Sequence, residues 1–201
     1  MIVYLVRHGL TAWNKRGRYA GWSDVSLSPS GKKQAQCLRR YFSGLVPFTL
    51  YSSDLRRAIT TAEIIGRNHG INPVVLPAFR ELYFGEWEGR TYTELAKEHR
   101  CELGRWFADP FSHGPPGGET VTRLNRRVWT ALEKISAAGH PGDTAVVVSH
   151  GGAIRTIIHR CLGLRPEKYW DIRVDNASIS LLTIEKQEFQ LIFHNYVEHL
   201  V

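Results

Sequence analysis

Nowhere in the 201 residues does the sequence hold a run of about eighteen or more apolar residues, so a membrane-spanning helix is excluded. Cysteine is scarce: Cys37, Cys101 and Cys161 are odd in number and far apart, which excludes a disulfide scaffold and a zinc knuckle of closely paired ligands. Their thiols are expected to be reduced and structural. Missing too are a phosphate-binding P-loop, a dinucleotide glycine fingerprint, a G-x-S-x-G elbow and an H-E-x-x-H helix, while His194 and His199 lack the spacing of a helical metal pair. No internal repeat or low-complexity tract interrupts the chain. Acidic residues are in the minority, and the formal charge is +7. The excess falls in pairs (Lys32-Lys33, Arg39-Arg40, Arg56-Arg57, Arg126-Arg127) rather than in one basic tail, so it reads as a solvated surface and matches no nucleic-acid motif. Met1 leads straight into a strand rather than a charged leader, so the chain reads as soluble and cytoplasmic. The Asn176-Ala177-Ser178 triplet fits a glycosylation acceptor only by chance in such a context.

What is present is alternation. Apolar or period-2 runs at "IVYLV", "FTLYS", "PVVLP", "TAVVVSH", "SISLLTI" and "FQLIFH" read as strands, and helical patterns lie between most of them. Ser28-Pro29-Ser30 precedes "GKKQAQCLRRYF", Asp54 is placed to cap "DLRRAITTAEIIGRN", and "TVTRLNRRVWTALEKISAAG" closes at Gly139. The expected fold is a single α/β domain over residues 1–201: a three-layer sandwich with a mostly parallel central sheet, helices on both faces and antiparallel pairing at one edge. That edge is a hairpin of residues 178–184 and 189–194. From about Leu82 to Glu119 an aromatic-rich segment ending in "HGPPGGET" breaks the alternation and reads as a cap-like excursion over the sheet. Its aromatics Tyr83, Phe84, Trp87, Trp106 and Phe107 are candidates for core or cavity wall.

Ligands of open α/β sheets bind beyond the carboxyl ends of the strands. Here the first strand ends in Arg7-His8, the second runs through Ser52-Ser53 to Asp54 and Arg57, the third leads to Arg80-Glu81, and the fourth ends in Ser149-His150-Gly151-Gly152. Singly, each of these residues has an ordinary structural explanation. Together they bring two arginine forks and the start of a helix at Gly151 to one rim, a set matched to a phosphoryl group. A neutral imidazole can attack phosphorus, and neighbouring cations keep it unprotonated. His8 is the candidate nucleophile, His150 a donor to the phosphoryl oxygens, and Glu81 the acid that protonates the departing alkoxide. No metal and no cofactor are called for.

"LVRHGLTAWN", "GWSDVSLSPSGKKQA", "YSSDLRRAITTAE", "FRELYFGEWEG" and "VVVSHGGAIR" occur in the order found in the histidine phosphatase superfamily, and over residues 2 to about 160 the chain resembles its phosphoglycerate-mutase-like branch. The resemblance implies phosphorylation of His8 on Nε2, phosphoryl binding by Arg7, Arg57 and His150, and proton donation by Glu81. It also implies a further phosphate contact at Asn14 and a close approach of the loop at Gly21, with Thr11 and Gly151 among the substrate contacts. Leu10 departs from the Glu or Gln usual after "RHG". "RELYFGEWEGRTYTEL", "DPFSHGPPGGET" and "YWDIRVDNASISLL" are similar to α-ribazole phosphatases of cobalamin synthesis and their broad-specificity relatives, so a small phosphorylated substrate is expected. A homodimer is compatible with the sequence. The alternatives are a phosphoglycerate mutase, for which Arg90, Lys97, Arg100 and Arg105 would have to grip a carboxylate, and a non-catalytic basic module that binds anions or nucleic acid.

Overall fold

A computed structural model describes residues 1–45 and 48–201. Six strands form one sheet: β1 (Ile2–Arg7), β2 (Thr49–Ser52), β3 (Val74–Val75), β4 (Thr144–Ser149), β5 (Ile179–Glu185) and β6 (Glu188–Tyr196), in the order β3-β2-β4-β1-β5-β6. The first four run parallel. β5 lies antiparallel to β1, and β6 turns back on β5 as the edge strand of the expected hairpin. Its two-residue turn, Lys186-Gln187, has positive φ at both positions, the twist that suits a tight hairpin. β3 keeps only two residues of the "PVVLP" run, with both side chains exposed.

Seven helices complete the fold among the described residues: α1 (Ala12–Lys15), α2 (Pro29–Tyr41), α3 (Arg56–Gly66), α4 (Tyr92–Glu98), α5 (Arg100–Ala108), α6 (Val121–Ala138) and α7 (Gly151–Cys161). α2 begins before "GKKQ", because Ser28 accepts from the Gly31 N–H as N-cap and Pro29 takes the first turn, where its missing N–H costs nothing. Asp54 does not cap α3. The N-cap is Leu55, and Asp24 from a distant loop accepts from the Arg56 N–H at 2.7 Å, while the Asp54 carboxylate is held by Arg80.

Alternation along the strands divides the core in two. Val6, Leu50, Val146, Val148 and Ile179 pack against Leu38 and Phe42 of the α2 end and Ala58, Ala62 and Ile65 of α3. Val3, Leu5, Ala145, Val147 and Leu182 face the other way, against Leu124, Val128 and Leu132 of α6 and Ile154, Ile157 and Ile158 of α7. Each fully buried Val, Leu, Ile or Phe among these stabilises the fold by roughly 1.5–3 kcal/mol before entropy is counted. The segment after Glu81 joins the second layer through Trp87 and Trp106, which meet edge to face at 5.5 Å.

Candidate active site

β1 and β4 are parallel neighbours with Arg7 opposite Ser149, so the next residues, His8 and His150, leave the sheet side by side. The His8 N–H donates to Ser149 O at 2.9 Å, and the two rings lie 5.1 Å apart. Arg57, on the first turn of α3, reaches between them. Its Nε–H is shared by His8 Nε2 and His150 Nδ1, both at 3.2 Å. Its Nη groups donate to Gly21 O at 2.6 Å and Ser23 O at 2.8 Å, and the remaining Nη hydrogens have no acceptor among the described residues.

These partners fix both tautomers. A carbonyl can only accept, so His8 Nδ1 donates to Gly9 O at 2.7 Å; a guanidinium can only donate, so His8 Nε2 carries the lone pair. By the same logic His150 accepts on Nδ1 and donates from Nε2 to Ser53 Oγ at 2.8 Å. Burial, then the charges of Arg57 and Arg7, push the His8 pKa well below the usual 6.5. His150 is pushed down in the same way by burial, Arg57 and the neighbouring His8. Burial also lowers Arg57 to about 10, still charged at neutral pH.

Arg7 donates from Nη1 to Val174 O at 2.5 Å, while its Nε–H is buried with no acceptor among the described residues. A buried obligate donor of this kind is what an anion would satisfy. Glu81 faces Arg7 across the start of α7. Its Oε2 accepts from the Gly152 N–H at 3.0 Å and its Oε1 from the Leu82 N–H at 2.8 Å. A Cβ at position 152 would lie 2.3 Å from Glu81 Oε1 and would force that carboxylate to shift, and one at Gly151 would sit 3.3 Å from the Arg7 guanidinium.

Asn14 closes the other side. Its Oδ1 accepts from Thr11 and, at 3.2 Å, from Asn176 Nδ2, which also donates to His8 O. Thr11 is fully buried and its hydroxyl is taken up by the Asn14 N–H and Oδ1, so it caps α1 rather than facing a ligand. Gly21, with φ at +48°, gives its carbonyl to Arg57, and a Cβ there would meet Glu88 Oε1 at 2.1 Å. It likewise holds other residues in place.

Sequence reasoning missed several positioning residues. Glu88 accepts from the N–H groups of Trp22 and Ser23, each at 2.7 Å, and pins the loop that carries Gly21. Its place in "GEWEG" was the available signal. Arg127, read as solvated surface from its pairing with Arg126, instead donates to the carbonyls of Ala78, Arg80 and Glu81 and to both oxygens of Glu119. Asn176, in the triplet set aside as chance, sits against His8 and Asn14. No three His, Cys, Asp or Glu side chains are grouped as metal ligands among the described residues.

Beside the cluster opens a cavity of about 280 Å³, lined by Arg7, Glu81, Gly151 and Gly152 on one side and by Tyr19, Phe84, Trp106, Phe107, Arg155, Tyr169 and Trp170 beyond. Phe84, Trp106 and Phe107 thus form cavity wall, whereas Trp87 belongs to the core and Tyr83 is exposed.

The model of the histidine phosphatase superfamily, branch 1, matches residues 3–197. The chain belongs to that superfamily. Among curated histidine phosphatase relatives, phosphoserine phosphatase 1 of Hydrogenobacter thermophilus is 33% identical, over 98% of this chain and 92% of that protein. The adenosylcobalamin/α-ribazole phosphatase of Escherichia coli is 30% identical, over 93% and 92%. Among solved structures, Bacillus stearothermophilus YhfR superposes with a TM-score of 0.93 at 26% identity, over 100% and 99% of the two chains. As a histidine phosphatase with phosphatases among its relatives, the chain is a phosphoric monoester hydrolase. No helix among the described residues is long and apolar enough to cross a membrane.

Proposed function

We propose that the cluster around His8 hydrolyses small phosphomonoesters in two steps, with the leaving group held in the aromatic cavity and the segment over residues 82–119 acting as its cap. The observation that carries this reading is the His8 ring: Nδ1–H is tied to Gly9 O, the Nε2 lone pair faces Arg57, and the surrounding cations disfavour its protonation. Arriving phosphoryl oxygens take over the long, shared Arg57 Nε–H bond and occupy the free donor of Arg7. Nε2 then attacks phosphorus, forming the N–P bond as the P–O bond to the leaving group breaks. Glu81 delivers a proton to the departing oxygen, and His150 and Arg57 hold the charge on the phosphoryl oxygens. Water enters in the second step, gives its proton to Glu81 and releases phosphate from His8.

The alternatives have less support. The cations proposed to serve a mutase are absent from the cavity lining: Arg90 pairs with Glu98, and Lys97, Arg100 and Arg105 are on α4 and α5, outside it. Arg57 faces inward to the histidines and Arg7 is buried against Val174 O and near Glu81, rather than outward to a polymer, which disfavours the basic binding module. For the substrate we propose broad specificity, with α-ribazole 5′-phosphate and O-phosphoserine as the first two classes to examine.

Quenching turnover in alkaline denaturant, in buffer containing EDTA, tests the reading. One acid-labile, base-stable phosphoryl group on His8 is expected, and none in His8→Ala. Label on another residue, or full activity of His8→Ala, refutes it.

A further inference from the structure

The cavity contains a cation that the two-step reaction leaves unused. Arg155 lies on α7 four residues after Gly151, hence on the same helix face and about 6 Å further along the axis. It lines the cavity together with Arg7 and Glu81. Only its Nε is held by the backbone, donating to Ile172 O at 2.9 Å. The guanidinium carbon lies 5.5 Å from the Tyr169 ring centroid and 5.4 Å from that of Trp170. Such packing against aromatic rings steadies a guanidinium while leaving its N–H edge available. No carboxylate pairs with Arg155 among the described residues, although Arg18, Arg80, Arg90, Arg127 and Arg173 each have one. An unpaired guanidinium, steadied at one helical turn from the phosphoryl site, matches a second anionic group on the substrate.

We propose that Arg155 is a specificity-determining residue that receives a carboxylate on the leaving group, so that the enzyme prefers phosphorylated small acids to neutral phosphate esters of the same size. This rests on the phosphomonoesterase reading above. A three-carbon acid phosphorylated at its far end spans the interval between the start of α7 and Arg155. A planar carboxylate takes two parallel N–H bonds from the guanidinium, and a charge-assisted contact of this kind is worth roughly tenfold or more in kcat/KM.

D-3-phosphoglycerate and sn-glycerol 1-phosphate have the same arrangement about C2 and differ only in a carboxylate against a hydroxymethyl group, so their kcat/KM ratio isolates the contact. The wild type should favour the acid by about tenfold or more. Arg155→Met should bring the ratio close to one, chiefly through KM for the acid, and Arg155→Lys should restore part of it. Arg155→Glu should shift preference toward phosphoethanolamine, whose leaving group carries a cation. If Arg155 only props the 172–174 loop against Arg7, both esters lose activity together and the ratio stays where it was, which overturns the proposal. A wild-type ratio of one or less, with nitrophenyl phosphate still turned over through phosphorylated His8, overturns this inference alone. Failure to hydrolyse any phosphomonoester overturns the functional reading beneath it.

Discussion

Arg127→Met removes a guanidinium that donates to three carbonyls of the loop carrying Glu81, the Glu81 carbonyl among them at 2.6 Å, and to the Glu119 carboxylate at 2.8 and 2.9 Å. The Arg127 side chain is 20% exposed and that of Glu119 12%, so the pair is neither fully dry nor freely hydrated. Leaving a buried carboxylate without its counter-charge costs about 3–5 kcal/mol, and each stranded carbonyl about 1–3 kcal/mol where water cannot reach it. Partial access lets water take up some of these groups, so about 4 kcal/mol is expected in urea denaturation. The double variant Arg127→Met/Glu119→Gln should lose only about half as much, because no unpaired charge is left behind. With the clamp gone the Glu81 carboxylate loses its fixed place, so kcat for an alkyl phosphate should fall further than kcat for nitrophenyl phosphate, whose leaving group needs little protonation. A double variant no more stable than the single one would refute the electrostatic argument. Equal kinetic losses on alkyl and aryl esters would show that the clamp supports the fold and not Glu81.

Two further outcomes follow from the same geometry. Glu81→Gln should slow alkyl phosphates at least about tenfold more than aryl phosphates, measured as kcat/KM, whereas equal losses would point to a positioning role. His8 and His150 are both held well below their ordinary 6.5, so above about pH 7 they are neutral in folded and unfolded chains alike; as pH falls below 6.5 the unfolded chain takes up protons that the folded one refuses. Stability should therefore drop with acidification, by roughly 1.4 kcal/mol per pH unit for each of the two. His8→Gln should lower that slope by one such increment in urea melts between about pH 6.5 and 5.5, and an unchanged slope would contradict the assigned burial.

The site was legible in sequence wherever a residue's place follows from a strand end. Arg7, His8, Ser149 and His150 needed only the alternation rule and the expectation of parallel strands, and the β1–β4 register then sets the two imidazoles side by side. Arg57 and Glu81 followed from short connections that leave little freedom after β2 and β3. Residues that act across long sequence separations were not legible. Arg127 reaches back from α6 to carbonyls at positions 78, 80 and 81, and nothing in "NRRVW" distinguishes an arginine facing that loop from its neighbour Arg126, which faces solvent. Asp24 capping α3, in place of the local candidate Asp54, is the same failure: local capping rules rank residues by adjacency, but here Arg80 claims Asp54 through a bidentate ion pair and leaves the helix start to a carboxylate from another loop. Arg155 illustrates it once more. Within "SHGGAIR" it reads as one helical cation among several, and only the packing of Tyr169 and Trp170 from the 166–171 turn against α7 turns it toward the cavity shared with Arg7. The residues proposed to carry the chemistry therefore lie at strand ends, whereas the cation proposed to tune it to a substrate is placed by a distant turn that packs over the helix following His150.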